Sequence, residues 1–485
     1  MTFMKRCETL LACSGFIFSL ALVSAGNLVG QTPGADPPLP DAPKAPLVLL
    51  AQQTSVPMAH PASQTPSTAS GDSDSVEHPR LTLSDAEKLA IKNNPRVSAA
   101  RLLALAQHQV MRETRSAELP TANAAITAVQ AEDASRISAG SLTASRLFTH
   151  AGAGGGFAQL ITDFGKTSNL VASSKLQEKA QNANALATTE DIVIATDQAF
   201  FDALQAQALL KVAVQNTSTR QTTQSQISSY TQNKLKSTLD LSFADVNLSQ
   251  AKLLELNARS NADSTMAALD AVLGLDRQVT YDLVEDSTPL TAPPTDANQL
   301  IQLALQQRPD LQALNLNQQA AIKFSHAERD QKLPSVTAAG TVGSVPIRPP
   351  QYYIQNWWGG IGVNMNIPIF NGFLYSAQAK EASIRAQADS EQVRELKDRI
   401  VRDVRTAWLA ANTAYQSVAV NQELLKQANL ALSLAQTRYQ LGLSSIVELS
   451  QAQYQQTDAA IGYTNAQYQY RLALATIAYQ TGATP

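Results

Sequence analysis

The chain has 485 residues, enough for several domains, yet it is 44% hydrophobic with only 6% aromatic residues, which excludes large aromatic-rich cores. The formal charge of −3 is spread along the sequence with no basic stripe, which excludes a nucleic-acid-binding surface. Ala, Gln and Leu do the packing instead, and small apolar residues suit long helices set close together, because Ala has the highest helix propensity and lets backbones approach.

Lys5 and Arg6, the apolar run from Leu10 to Val23, and Val23-Ser24-Ala25 before Gly26 predict a secretory signal over residues 1–25. A membrane anchor is the alternative, but the run is short for one. Leu10-Leu11-Ala12-Cys13 falls short of a lipoprotein box, since Leu11 is atypical there and little apolar sequence precedes Cys13. Cys7 and Cys13 are the only cysteines, so the processed chain is expected to hold no disulfide and no thiolate metal site. Residues 26–80, rich in Pro, Ala, Ser and Gln without a sustained period, predict a disordered tail.

Leu83-Ser84-Asp85 opens a first helix, with Ser84 or Asp85 able to cap it, and Asn94-Pro95 breaks or kinks it. After Leu119-Pro120 the hydrophobic period changes to two, which predicts strands over 121–130 and 152–162 separated by a polar loop. Asp163-Phe164-Gly165 then opens a helical pattern about 70 residues long, roughly 100 Å at 1.5 Å per residue. A turn near Lys234 leads to a second helix ending at Leu273-Gly274-Leu275, and residues 276–297 are a Pro-containing connector.

The punctuation then repeats. Arg308-Pro309-Asp310 answers Asn94-Pro95-Arg96, Leu333-Pro334-Ser335 answers Leu119-Pro120-Thr121, Phe370-Asn371-Gly372 answers Asp163-Phe164-Gly165, and Gly482 answers Gly274. Two structural repeats, 81–275 and 298–485, are therefore expected, each reading helix, strand, strand, long helix, turn, helix. The second pair of strands falls at 335–345 and 359–369, and in Ile361-Gly362-Val363-Asn364-Met365-Asn366-Ile367 apolar residues alternate strictly with Gly and Asn. That pattern gives one lipid-compatible and one wet face; a soluble sandwich strand is the alternative. The aromatic cluster Tyr352, Tyr353, Trp357 and Trp358 at a strand edge fits the interfacial girdle of an outer-membrane barrel. Four strands cannot close a barrel and open edges are not tolerated in lipid, so the chain must pool strands with copies of itself.

The long helices carry a seven-residue beat. Ile400, Val404, Ala407, Ala411, Ala414, Val418, Asn421, Leu425, Ala428, Leu432, Ala435 and Tyr439 step by four and three, as do Leu449, Ala452, Gln456, Ala459, Tyr463, Ala466, Tyr470, Ala473 and Ile477. Ile192, Thr196, Ala199, Ala203, Ala206, Leu210 and Ala213 repeat it in the first half, which predicts coiled-coil packing.

The two repeats, the Leu-Pro at each helix-to-strand change, Phe370-Asn371-Gly372 and Arg438-Tyr439-x-x-Gly442-x-x-Ser445-x-x-Glu448-Leu449 together resemble the TolC family of outer-membrane efflux channels, over roughly residues 81–482. The resemblance implies a mainly α fold with a small β part, in a homotrimer whose twelve strands form an outer-membrane barrel continued by a long periplasmic helical barrel. It implies a passive exit duct for small molecules (drugs, toxic compounds or metal ions), fed by a periplasmic adaptor and an inner-membrane transporter of the RND, ABC or MFS type. Asp240, Glu448, Tyr439 and Gln451 match the periplasmic aperture, and Leu235, Lys236, Ser237, Gly442, Leu443, Ser444 and Ser445 match the adaptor-docking tips. The chain departs from the family pattern at Ser444, where TolC carries an arginine, and at Gln451, where it carries a second acid. The mouth is thus expected to keep an acidic ring and to be held by hydrogen bonds and packing. Helix capping would use Ser237, Ser445 and Gly442 in any case.

Enzymatic signatures fail on spacing. Gly165-Lys166-Thr167 lacks the glycine of a phosphate loop, Leu160 standing in its place, and Asp163-Phe164-Gly165 has no kinase companions. The five histidines are scattered, no Ser/His/Asp arrangement can be argued, and neither cofactor nor catalysis is expected. Two other readings remain at this point: a type I protein-secretion exit, and a soluble secreted coiled-coil scaffold without a pore.

Overall fold

The computed structural model describes residues 79–130, 136–137, 145–146, 149–275, 281–285, 289–348 and 356–483. The expected signal, nearly all of the tail, Tyr352 and Tyr353 lie outside these residues. In chain order the elements are β1 (Arg80–Leu81), α1 (Leu83–Asn93), α2 (Pro95–Ser116), β2 (Thr121–Val129), β3 (Arg136–Ile137), β4 (Ser145–Arg146), β5 (His150–Thr162), α3 (Lys166–Gln232) and α4 (Thr238–Leu273). There follow β6 (Asp282–Leu283), α5 (Ala297–Gln307), α6 (Pro309–Asp330), β7 (Ser335–Ile347), β8 (Trp357–Asn366), α7 (Leu374–Gln440) and α8 (Ile446–Thr481). The fold is mainly α. Both long helices, α3 and α7, have 67 residues, and both that follow them, α4 and α8, have 36. None of the described helices is long and apolar enough to cross a membrane.

The joints show how local chemistry sets these boundaries. Thr82, rather than Ser84 or Asp85, caps α1: its hydroxyl accepts from the Asp85 backbone N–H at 3.2 Å, one residue before the helix that Ser84 already belongs to. Asn94 closes α1 through its own N–H and caps α2 through Oδ1, which accepts from Arg96 N–H at 2.9 Å, while Pro95 occupies the first helical position. Its Nδ2 also donates to Val272 O at 2.9 Å, tying the joint to the end of α4. Arg308 makes the corresponding tie in the second repeat, donating to Gln480 Oε1 at 2.6 Å near the end of α8. Gly274 and Gly482, both at φ 69°, end α4 and α8 pressed on these joints; a Cβ on Gly274 would lie 2.9 Å from Asn93 O. Arg80, assigned to the tail from sequence, pairs in parallel with Asp282 of the connector, and Leu81 with Leu283.

The seams face inward. Among the positions of the heptad pattern on α3, α7 and α8 none is exposed, and Ile400, Val404, Ala411, Ala203 and Ala206 are essentially solvent-free. In the lower part of the molecule the helices form a strip in the order α4, α3, α8, α7, and in the upper part α2, α3, α6, α7. The strip continues into an antiparallel sheet of order β2-β5-β7-β8, so β2 and β8 are open edges.

Register sorts the sheet residues into two faces. Ile126, Phe157, Val342, Trp357, Ile361, Val363 and Met365 share one, which is apolar; Asn123, Thr127, Gly154, Thr341, Gly343, Trp358, Gly360 and Asn364 share the other. The four strands contain no Asp, Glu, Lys or Arg.

Candidate functional site at the helical tips

Each long hairpin ends in the same turn. At the end of α3 the Leu235 N–H reaches back to Tyr230 O (2.9 Å) and Lys234 N–H to Thr231 O (3.0 Å); at the end of α7 Leu443 N–H reaches Arg438 O (2.8 Å) and Gly442 N–H reaches Tyr439 O (3.1 Å). This double bonding closes a helix through a left-handed residue, here Lys234 at φ 56° and Gly442 at φ 74°. Ser237 and Ser445 then cap the returning helices, accepting from Leu239 N–H (3.1 Å) and Glu448 N–H (3.4 Å). Asp240 and Glu448 follow at equivalent places in the first turns of α4 and α8, where a negative charge suits the helix dipole.

Beneath the turns the two hairpins of the chain share one apolar cluster, Ile227, Ala244, Ala435, Tyr439, Ile446, Leu449 and Ala452. Tyr439 is its polar member, and its hydroxyl is buried without a hydrogen-bond partner. Burial, with the charge of Asp240 as the next cause, pushes the phenol up to about 12. Lys236, from the other tip, lays its Nζ 4.2 Å from the centre of the Tyr439 ring, a cation–π contact joining the two turns. Ser444 buries its Oγ without a partner.

The structure thus gathers Lys236, Asp240 and Tyr439 around one point. Glu448 is engaged elsewhere: Arg438 Nε lies 3.0 Å from its Oε1, both side chains half exposed, so the tip turn of this hairpin holds an ion pair as well as hydrogen bonds and packing. Gln451 is exposed one turn further along α8, and Leu235, Ser237, Gly442, Leu443 and Ser445 are exposed on the turns. The sequence signal for Arg438 was a base in the last turn of α7 opposite an acid in the first turn of α8.

A polar layer was also missed. Arg220, 8% exposed, donates to Gln453 Oε1 and, at 3.3 Å, to Asn216 Oδ1; Thr457 donates to the same Asn216 oxygen at 3.2 Å. It fastens α3 to α8, and its signal was a charged residue seven positions beyond Ala213 on the seam. At the opposite end of the long helices, Phe164, Ile369, Phe370 and Phe373 stand exposed, Ile369 by 94%. Phe164 and Phe373 hold positive φ at matching joints, and Phe370 and Phe373 form an edge-to-face pair at 5.5 Å. Trp357 lies on the apolar face of β8 and Trp358 on the opposite one.

Comparison with known proteins agrees with this architecture. Residues 300–483 match the family model described as outer membrane efflux protein. The outer membrane protein TolC of Salmonella enteritidis is 24% identical over 242 residues, 47% of this chain and 48% of that protein, so the chain spans about half the length of this relative. The outer membrane efflux protein BepC of Brucella suis is 22% identical over 405 residues, 83% of this chain and 85% of BepC. Among solved structures, the outer membrane protein VceC of Vibrio cholerae superposes with a TM-score of 0.70 at 17% identity, covering 82% of this chain and 96% of that one.

Proposed function

We propose, from the premise that residues 300–483 belong to the outer membrane efflux protein family and that the fold is that of the TolC-like channels, that this chain is one third of a passive outer-membrane exit duct. The observation that carries the proposal is the open strip. One chain presents an uncharged four-stranded sheet with an apolar face and two unpaired edges. Such edges cannot stand in lipid, and three copies of a four-stranded sheet give a closed barrel of twelve strands. The helical strip ends in the same way. Leu239, Phe243, Val246, Leu253 and Leu256 form an exposed stripe on α4, and Val420, Leu424 and Leu434 form one on α7 that Leu441 continues just past its end, so the two ends can join head to tail between copies.

The apolar sheet face, bounded by Trp357 at one end and by Phe370 and Phe373 at the other, is the lipid-facing band. The tips hang in the periplasm. There Asp240 and Glu448 form acidic rings that narrow the mouth, with Tyr439 and Gln451 beside them. The turns Leu235-Lys236-Ser237 and Gly442-Leu443-Ser444-Ser445 receive the helical hairpin of an adaptor, which passes on small molecules from an inner-membrane transporter of the RND, ABC or MFS type. Bulky charged replacements of Leu443 and Ser444 should then abolish adaptor cross-linking; cross-linking that persists removes the tips as the docking surface.

The duct itself is tested with the full-length chain. It is expected in the outer-membrane fraction, as trimers in mild detergent and as cation-favouring channels in planar bilayers, because carboxylate rings attract cations. Asp240→Asn with Glu448→Gln should reduce that selectivity several-fold. Recovery as a soluble periplasmic monomer would overturn the duct; unchanged selectivity would overturn the acidic ring alone.

A further inference from the structure

On the polar face of the sheet we infer a binding site for planar aromatic compounds, built around the indole of Trp358; the inference rests on the duct reading, which makes that face the wall of the pore. Trp358 is the largest side chain on a wall otherwise made mostly of Gly, Ala, Thr, Asn and Ser, with Val129, His150, Leu160 and Val345, and it is 49% exposed. Register brings Gly343 directly opposite it and Gly154 beyond Gly343. The indole occupies the space these glycines leave: a Cβ on Gly343 would lie 2.7 Å from Cζ2 and 2.8 Å from Cε2, and one on Gly154 would come 3.6 Å from Cζ2. Beside the indole lies a recess of about 350 Å³ lined by Asn123, Thr127, His150, Gly154 and Thr341.

Covering a cross-strand glycine with an aromatic ring is a structural device in its own right, and Phe157 does it over Gly340 on the apolar face. There the ring shares its face with the neighbouring Val342 and Ile361 and belongs to the lipid-facing band. Trp358 has no such setting. On a wet face it leaves apolar ring surface open to the lumen, and the adjoining recess offers neutral donors and acceptors from Asn123, Thr127 and Thr341. The strands place no Asp, Glu, Lys or Arg on this wall, so a solute there is selected by stacking and hydrogen bonding, without a charge filter. In a trimer the site occurs three times, at the end of the barrel away from the helices, since Trp358 lies near the start of β8.

The test uses full-length channels in planar bilayers with ethidium as the planar probe. Trp358→Leu keeps an apolar cover on Gly343 but removes the flat ring, and should weaken ethidium block about tenfold, the scale of one lost stacking partner. Trp358→Phe should restore most of it and Trp357→Leu should leave it unchanged. Equal block in wild type and Trp358→Leu would overturn the site. Absence of channels in the wild type would overturn the duct, and this site with it. A second measurement leaves Trp358 in place: with Trp357→Phe and Trp408→Phe it is the only indole left of three, and ethidium should quench it saturably. Quenching that rises linearly without saturation would show collision alone and sink the proposal.

Discussion

Asp197 is the most perturbed carboxyl in the helical body. It lies 6% exposed on α3, facing Glu87 of α1. Burial raises its pKa to about 7, with the charge of Glu87 and the hydrogen bond between the two as further causes; burial raises Glu87 as well, against the hydrogen bond from Asp197 and then the charge of Lys88. The pair therefore holds a proton that the unfolded chain would release near pH 4. The sign follows: the folded state binds more protons than the unfolded one between about pH 4 and pH 7, so this pair's contribution to stability is fully present below that window and is lost as pH rises through it. Asp197→Asn should flatten that slope and raise the thermal midpoint at pH 8 relative to wild type, with little change at pH 5. Melting curves of the detergent-solubilised protein at both pH values check it. Nothing in the sequence marked Asp197, because a single acid beside the seam residue Thr196 looks like any solvated helix position until α1 is laid over it.

At the scale of elements, the two tip turns are one design in two residue choices. Both need a left-handed residue; Gly442 supplies it without strain, whereas Lys234 holds φ 56° with a side chain attached. A Cβ at Gly442 would meet nothing within 4 Å, so any penalty there is purely of the backbone. Gly442→Ala should cost about 1 kcal/mol of stability, while Lys234→Gly should be neutral or slightly stabilising. Chemical denaturation of both variants decides it, and equal losses would mean that the turns are not conformationally equivalent. The long helices were legible because the Ala-rich seams of α3, α7 and α8 repeat without a fault. Thr82 as cap, the pairing of Arg80 with Asp282, and the Arg438–Glu448 contact were not, since each depends on which distant segment arrives beside it. Trp357 and Trp358 show the limit differently: their clustering was visible, but adjacent residues of a strand point to opposite faces, so they cannot share one girdle position.

For the whole molecule, the mainly α fold of the TolC-like channels was legible in the order of its punctuation, and the proposal that copies pool their strands rests on the count of four in one sheet. How copies would meet was not legible, because the helix faces that one chain leaves open appear only when the neighbours of every helix are known. With α3 and α8 central, α4 and α7 each keep a heptad stripe that none of the described residues covers: Leu253 is 58% and Leu256 64% exposed on α4, Leu424 52% and Leu434 57% on α7. Burying a leucine is worth about 1.5–3 kcal/mol. Replacing two of them by carboxylates at each interface of the proposed trimer removes that gain and adds the cost of desolvating charge. Leu253→Glu with Leu256→Glu should therefore leave the helices folded, by circular dichroism, while the detergent-extracted protein sediments as monomer. A trimer that survives the double substitution would mean that α4 faces a tunnel or solvent and that the strips join along another edge.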